Sequence, residues 1–197
     1  GTLSNSGSIT AGRGGNGGNG GSILNGGQGS NGGNGGNGSV GGAGVAMTGG
    51  ILTNSGSITG GHGGIGGNGG NGGPGILMRG GSLNNSGIIT GGLAGVAGTN
   101  GTAGVNADGI SVMGSVASII NNGSILPGGV GAYGIINASG SITQLANAQG
   151  TSGTGGAPLT YQGILPKWIS VAGDNIQFCY LRRASGVAKL KAYEGHR

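Results

Sequence analysis

Aliphatic residues in this chain come singly or in pairs, spaced by serine, threonine, asparagine and glycine. The clearest pattern is Leu3-Ser4-Asn5-Ser6-Gly7-Ser8-Ile9-Thr10. It returns as Leu52-Thr53-Asn54-Ser55-Gly56-Ser57-Ile58-Thr59 and as Leu83-Asn84-Asn85-Ser86-Gly87-Ile88-Ile89-Thr90. Two weaker copies are Ile119-Ile120-Asn121-Asn122-Gly123-Ser124-Ile125 and Ile136-Asn137-Ala138-Ser139-Gly140-Ser141-Ile142-Thr143. The copies begin 49, 31, 36 and 17 residues apart, an irregular period that fits one repeated unit with insertions of different length. Within the unit an aliphatic residue points inward. Asn-Ser-Gly then makes a tight turn, since Asn and Gly tolerate positive φ. Ser-Ile-Thr follows as a short strand with its Ile inward and its polar neighbours outward, as period-2 alternation requires.

One such unit holds too few apolar side chains for a globular core. Stacking the units into a column solves this, because each covers the next and the aliphatics form continuous interior ladders. The expectation is therefore an all-β fold, a right-handed parallel β-solenoid (β-helix) over residues 1–150. Its richest stretch runs from Gly104 to Thr143, with strands of about four residues between glycine turns.

Between the units lie glycine triplets. Gly14-Gly15-Asn16-Gly17-Gly18-Asn19 and Gly32-Gly33-Asn34-Gly35-Gly36-Asn37 are two runs, and the longest spans Gly60 to Pro74. Period 3 matches the polyproline II helix, with one turn per three residues and a rise of about 3.1 Å. Two faces of such a helix are bare glycine, so backbones can approach and hydrogen-bond. The third face carries Asn, His, Ile or Pro. Two states fit these runs: ordered polyglycine-II-like insertions packed beside the solenoid, or flexible linker.

Composition sharpens this picture. Of 197 residues, 59 are glycine and only 4 are proline, which with abundant Gly-Gly pairs excludes collagen. Charged residues are 6% and hydrophobic residues 34%, the reverse of a typical disordered chain. The formal net charge of +5 is misleading. Only Arg13 and Arg79 of the 8 Lys and Arg residues precede position 160. The body thus has no phosphate-binding stripe, and no nucleic-acid partner is expected. No stretch approaches 18 consecutive apolar residues, so no transmembrane helix is expected.

After Ala148 the composition shifts. Residues 151–158 read as a linker. Residues 159–197 form an atypical basic tail with five of the six aromatics (Tyr161, Trp168, Phe178, Tyr180 and Tyr193) and the single cysteine, Cys179. Ile176 to Leu181 suits a strand. This tail is too short for a stable core of its own.

Candidate chemistry is sparse. The carboxylates are Asp108, Asp174 and Glu194, and only Asp108 lies in the body, whereas a paired-carboxylate hydrolase needs two in one site. His62 stands at a triplet's third position and His196 beside the terminus, and no His/Cys spacing suits a metal. Calcium-binding nonapeptides carry Asp in every turn, where these runs carry Asn. Cys179 sits in an apolar run as an inert thiol. Arg182, Arg183, Lys189 and Lys191 make a solvated basic tail. The expectation is a non-enzyme with no catalytic, cofactor-binding or metal-ligating residue, no cofactor, and no single ligand-binding residue.

The Asn-Ser-Gly-Ser-Ile-Thr units resemble the passenger region of bacterial autotransporters (type V secretion), in their glycine-rich, adhesin-like branch. Gly109-Ile110 through Ile125 and Ser141 through Gly150 add to the likeness. So does Leu159-Thr160-Tyr161-Gln162-Gly163-Ile164-Leu165-Pro166, which looks like the junction after the last repeats. The resemblance covers about positions 1–166. It implies a right-handed β-helix and export through a C-terminal outer-membrane barrel in the full-length protein. It also implies display at the cell surface or secretion, and adhesion to host or neighbouring-cell receptors or self-association; the expected mode is multivalent weak contact, with repeated rows of Asn, Ser and Thr outside, each weak and summing by avidity. The chain opens at Gly1 inside a repeat, as a piece of a longer protein would. After Pro166 it departs from the family pattern, and the barrel's alternating strands are absent. A truncated or frame-shifted gene end would explain that, which leaves a non-functional fragment as one alternative. An ice- or crystal-binding solenoid is another, with Thr10, Thr59, Thr90 and Thr143 as its row. A glycine-rich repetitive surface protein of the mycobacterial type fits the triplets but not the Asn-Ser-Gly-Ser-Ile units.

Overall fold

A computed structural model describes residues 1–18, 35–148, 161–163 and 168–172. The strands are β1 (Thr2–Asn5), β2 (Ser8–Thr10), β3 (Val45–Met47), β4 (Ile51–Asn54), β5 (Ser57–Thr59), β6 (Ile76–Asn85) and β7 (Ile88–Thr90). They continue as β8 (Ile110–Asn121), β9 (Ser124–Leu126), β10 (Ile135–Asn137), β11 (Ser141–Ala148), β12 (Tyr161–Gly163) and β13 (Trp168–Ala172). The fold is all-β, with no helix among the described residues.

Every strand pair is parallel. One sheet has the order β1-β4-β6-β8-β10-β12, with β3 beside β6, β11 beside β8 and β13 beside β11. The other has the order β2-β5-β7-β9. Parallel neighbours need a long connection that brings the chain back to its starting side. Here the second sheet and the glycine runs provide it. Each of the first four passes lays a strand in the first sheet, turns at Asn-x-Gly, and lays a strand in the second.

Register aligns like with like. Leu3, Leu52, Leu83, Ile119 and Leu145 form one column, and Ile9, Ile58, Ile89 and Ile125 another. A third column, Val45, Ile76, Ile110 and Ile135, comes from an earlier segment of each pass. These residues, apart from the exposed Leu3 and the partly buried Ile9 and Val45, make the core together with Met47, Met78, Val112, Val116 and Ile142. The inward Leu and Ile of the unit are where the sequence puts them.

Three features differ from the sequence reading. First, the copy beginning at Ile136 is out of register. Ser141 and Ile142 pair with Ser115 and Val116 of the first sheet, and Asn147, not Asn137, meets Asn121. Asn137 lies opposite Val112. The repeat's fifth occurrence is therefore Leu145-Ala146-Asn147, and Ser-Ile-Thr at 141–143 resembles the unit without occupying its place. Secondly, the segment from Ile110 is one strand of 12 residues, not several of four. Gly114 lies within this strand, and its place needs a glycine because a Cβ there would collide with the Arg79 carbonyl oxygen of the preceding pass. Thirdly, the described glycines with positive φ are Gly50 (φ 80°), Gly81 (φ 85°) and Gly131 (φ 85°), not those of the Asn-Ser-Gly turns. At Gly56, Gly87 and Gly123 glycine is required by proximity to the preceding pass. A Cβ on Gly56 would strike the Gly7 carbonyl oxygen directly above it.

Pairing also extends past position 150, with β12 against β10 and β13 against β11. The strand expected at 176–181, Cys179, and the basic cluster of Arg182, Arg183, Lys189 and Lys191 lie outside the described residues, as do Asn19 and Gly32 to Asn34 of the first two triplet runs.

Candidate functional site

The polar residue of the unit is its most distinctive feature. The sequence reading placed Asn outside, as part of a contact surface. Asn5, Asn54, Asn85, Asn121 and Asn147 instead point into the stack and are at most 8% exposed. A buried amide is costly unless its groups are bonded. Here each satisfies the next. Asn5 Nδ2 donates to Asn54 Oδ1 (2.8 Å), Asn54 to Asn85 (2.7 Å), Asn85 to Asn121 (2.7 Å) and Asn121 to Asn147 (2.7 Å). The second Nδ2 hydrogen closes the turn, from Asn54 to Gly56 O (3.3 Å), Asn85 to Gly87 O (3.2 Å) and Asn121 to Gly123 O (3.1 Å). One side chain thus fixes both the turn and the stacking register. Along its length this column is sealed from solvent.

The glycine runs are ordered against one another. Of the two states their sequence left open, the hydrogen bonds give the packed one. Runs 11–18, 60–67 and 91–98 align in the same direction: Gly14 N donates to His62 O (2.8 Å), Gly63 N to Leu93 O (2.8 Å) and Gly66 N to Val96 O (3.3 Å). Runs 36–44, 68–75 and 101–109 do the same, with Gly41 N to Asn71 O (2.9 Å) and Gly72 N to Val105 O (2.9 Å). Between the two sets the chains run oppositely, as in Gly64 N to Ser39 O (2.8 Å) and Gly95 N to Gly70 O (2.7 Å). The donors and acceptors of bare backbone therefore pair on two sides of each run. Side chains cannot intrude: a Cβ on Gly63 would collide with Gly70 O, and one on Gly70 with Ser39 O.

The third position of each triplet faces solvent, and its N–H needs another acceptor. Asparagine provides it. Asn16 Oδ1 accepts from Ile65 N (3.0 Å), Asn68 Oδ1 from Thr102 N (2.9 Å) and Asn71 Oδ1 from Val105 N (2.9 Å). Asn16, Asn37, Asn68 and Asn71 are exposed, and the side-chain oxygen of each accepts from a backbone N–H. Asparagine therefore has two separate roles among the described residues, one buried in the strand stack and one at the surface of the glycine runs.

Both sheets present outward residues in register: Ser4, Thr53 and Asn84 form an exposed column on the first sheet, and the second sheet adds two more. Thr10, Thr59, Thr90 and Leu126 form one column and Ser8, Ser57, Ile88 and Ser124 the next. Neighbouring strands in a sheet are about 4.8 Å apart, so hydroxyls repeat at that spacing. Thr143 does not belong to this row; it lies on β11 in the other sheet. The apolar positions of the runs are also outward, with Ile65 43%, Val96 65% and Val105 61% exposed.

Titratable groups are scattered. Asp108 is half-buried and its Oδ1 accepts from Tyr133 N (2.7 Å). Burial raises its pKa, and the backbone hydrogen bonds oppose this more weakly. His62 is exposed, and Arg13 Nε donates to Gly63 O (3.4 Å). Among the described residues no three His, Cys, Asp or Glu side chains gather where they could hold a metal. No helix among them is long and apolar enough to cross a membrane. No protein-family profile, no curated protein and no solved structure matches this chain.

Proposed function

We propose that the chain is a right-handed parallel β-solenoid with polyglycine-II-like insertions, serving as a surface-displayed adhesive passenger segment of an autotransporter-type protein. The right hand is the one that parallel crossovers adopt almost without exception. Triplet periodicity with inter-run backbone bonding is what polyglycine II packing requires. The observation that carries the functional reading is the registered outward rows, Thr10-Thr59-Thr90 and Ser8-Ser57. Each hydroxyl binds weakly, and a column of them at constant spacing sums by avidity. The partners are receptors on host or neighbouring cells, or further copies of the chain, met at the cell surface or after secretion. The full-length protein would supply the outer-membrane barrel.

Particles coated with the full chain test this. Coated particles should adhere to cell surfaces well above blank particles, and soluble chain should compete only at roughly a hundredfold or greater excess, the mark of multivalency. Adhesion no better than blanks contradicts the reading.

The same Thr10-Thr59-Thr90 alignment favours one alternative, binding to ice or another crystal lattice. Leu126 ends that row, and Thr143 lies outside it. Thermal hysteresis in freezing solution separates the two readings. A gap between melting and freezing points that vanishes in Thr59→Val would favour the lattice.

A further inference from the structure

Asparagine followed by glycine is the dipeptide most prone to lose its side-chain amide. The glycine nitrogen has no Cβ beside it, and its backbone turns freely toward the asparagine Cγ. Six such pairs lie among the described residues: Asn16-Gly17, Asn37-Gly38, Asn68-Gly69, Asn71-Gly72, Asn100-Gly101 and Asn122-Gly123. In the four of the glycine bundle, both reacting groups are tied to the next pass. Gly17 N donates to Ile65 O (2.7 Å), and Asn16 Oδ1 accepts from Ile65 N (3.0 Å). Gly38 N and Asn37 Oδ1 hold Asn68 in the same way, at 2.8 and 3.3 Å. Gly69 and Asn68 hold Thr102 (2.9 Å for each bond), and Gly72 and Asn71 hold Val105 (2.9 Å for each bond). In the turn pair at Asn100, Gly101 N donates to Gly98 O (3.0 Å).

Asn122-Gly123, the turn between β8 and β9, is held differently. The matching turns of the earlier passes carry serine in this place, as Ser6, Ser55 and Ser86. The hydroxyls of Ser55 and Ser86 donate to Asn5 O and Asn54 O (3.3 Å each). Gly56 N and Gly87 N donate to those same carbonyls, at 3.2 and 3.1 Å. Gly7 N donates to Asn5 Oδ1 (3.2 Å). At the fourth turn Asn122 N takes the Asn85 carbonyl at 2.7 Å. Among the described residues neither Gly123 N nor the exposed Asn122 amide has a partner. Nucleophile and electrophile are thus neighbours in the chain, and no hydrogen bond holds either one back.

We propose that Asn122 is a site of spontaneous covalent modification, by which the folded chain ages at one turn while its glycine bundle stays intact. Gly123 N attacks Asn122 Cγ. The new C–N bond closes a succinimide ring, the Cγ–Nδ2 bond breaks, and ammonia leaves with the proton of the Gly123 amide. Water then opens the ring at either carbonyl, giving aspartate or isoaspartate. Either product puts a negative charge on a surface turn. Isoaspartate also lengthens the main chain by one carbon between residues 122 and 123. The bonds that bracket that point, Asn121 Nδ2 to Gly123 O (3.1 Å) and Ser124 N to Gly87 O (2.9 Å), then lose their spacing. The turn loosens beside the buried asparagine column. The inference rests on turn and run geometry and not on adhesion, so the two stand or fall separately.

The test is a time course on the full chain in mildly alkaline buffer, where the attacking nitrogen deprotonates more readily. Mass spectrometry of proteolytic fragments reads amide-to-acid conversion at each of the described pairs. Asn122 should convert first. Asn16, Asn37, Asn68 and Asn71 should lag by at least about tenfold, since reaction there awaits a local opening that breaks two hydrogen bonds per pair. In the urea-unfolded chain these pairs and Asn122 should convert at similar rates, which assigns the difference to the fold. Asn122→Ser, which restores the residue of the earlier turns, should leave no early conversion within residues 110–126. Conversion of Asn122 in the folded chain no faster than that of the four bundle pairs overturns the proposal, as does an equal lead for Asn122 in the unfolded chain.

Discussion

The strand stack and the glycine bundle are built by one chain on opposite economies of side chain and backbone. In the stack, Leu52, Leu83, Ile58 and Ile89 are wholly buried, and the asparagine column bonds within the same interior. In the bundle the apolar side chains point away, as Val96 at 65% exposure shows, and the interior is backbone alone. Burying an aliphatic side chain stabilises by about 1.5–3 kcal/mol. A backbone hydrogen bond contributes about 1 kcal/mol net, and ordering one residue costs about 1–2 kcal/mol, more for glycine. The bundle alone is therefore near balance or unstable. It is held because the strands of each pass anchor its runs, as Gly60 N to Thr90 O and Gly44 N to Pro74 O illustrate at the junctions. The stack templates the bundle, and the dependence should run one way.

The strongest way to break that comparison is Leu83→Ala. Truncating a sealed core residue costs about 2–5 kcal/mol. Strand and bundle signals should be lost together in denaturant, since the template itself fails. Asn85→Ala comes next. It strands the Asn54 amide and the Asn121 oxygen in the interior, at about 1–3 kcal/mol for each unpaired group. The same change at Asn5, which has only one asparagine neighbour, should cost about half as much in an equilibrium unfolding titration. Gly70→Ala is the informative converse. Its Cβ meets the Ser39 carbonyl, and overpacking of this kind costs about 1–3 kcal/mol. The bundle should loosen while the strand signal in circular dichroism keeps most of its amplitude.

Asp108 gives a smaller effect with a defined sign. Its folded pKa is raised by burial, so the folded state holds the proton more tightly than the unfolded chain. Its contribution is fully present below the unfolded value and is lost as pH rises through the window up to the folded one. Asp108→Asn should flatten that decline in thermal melts taken across the acidic range. Smallest is Asn71→Ala, which leaves the Val105 N–H facing water and should cost under about 1 kcal/mol by the same melts.

Sequence periodicity made the inward Leu and Ile of the unit legible, because alternation assigns a face without knowledge of neighbours. It also exposed the triplets' two bare faces. It did not reveal the inward asparagine. Asn is at home in turns, and only the register between passes shows that its amide has a partner at the same height. It misplaced the copy at Ile136 for a related reason. Ser141-Ile142-Thr143 has the composition of the unit, but the strand it joins is fixed by Leu145 meeting Ile119 and Asn147 meeting Asn121. A second signal was present and unread: Val45-Ala46-Met47 and Ile76-Leu77-Met78 each begin seven residues before the leucine of the unit, marking the other half of each pass. The threonine row was legible at Thr10, Thr59 and Thr90, and only pairing could exclude Thr143 from it.

The central claim is that the glycine runs are held by inter-run backbone hydrogen bonds on a strand template. Amide hydrogen exchange on the full chain, resolved by residue, tests it most directly. The amides of Gly63, Gly69, Gly72 and Gly95 should exchange orders of magnitude more slowly than in an unfolded chain, and Leu83→Ala should release them together with the strand amides. Exchange of those glycines at the unfolded rate while Leu52 and Leu83 stay protected would contradict the account.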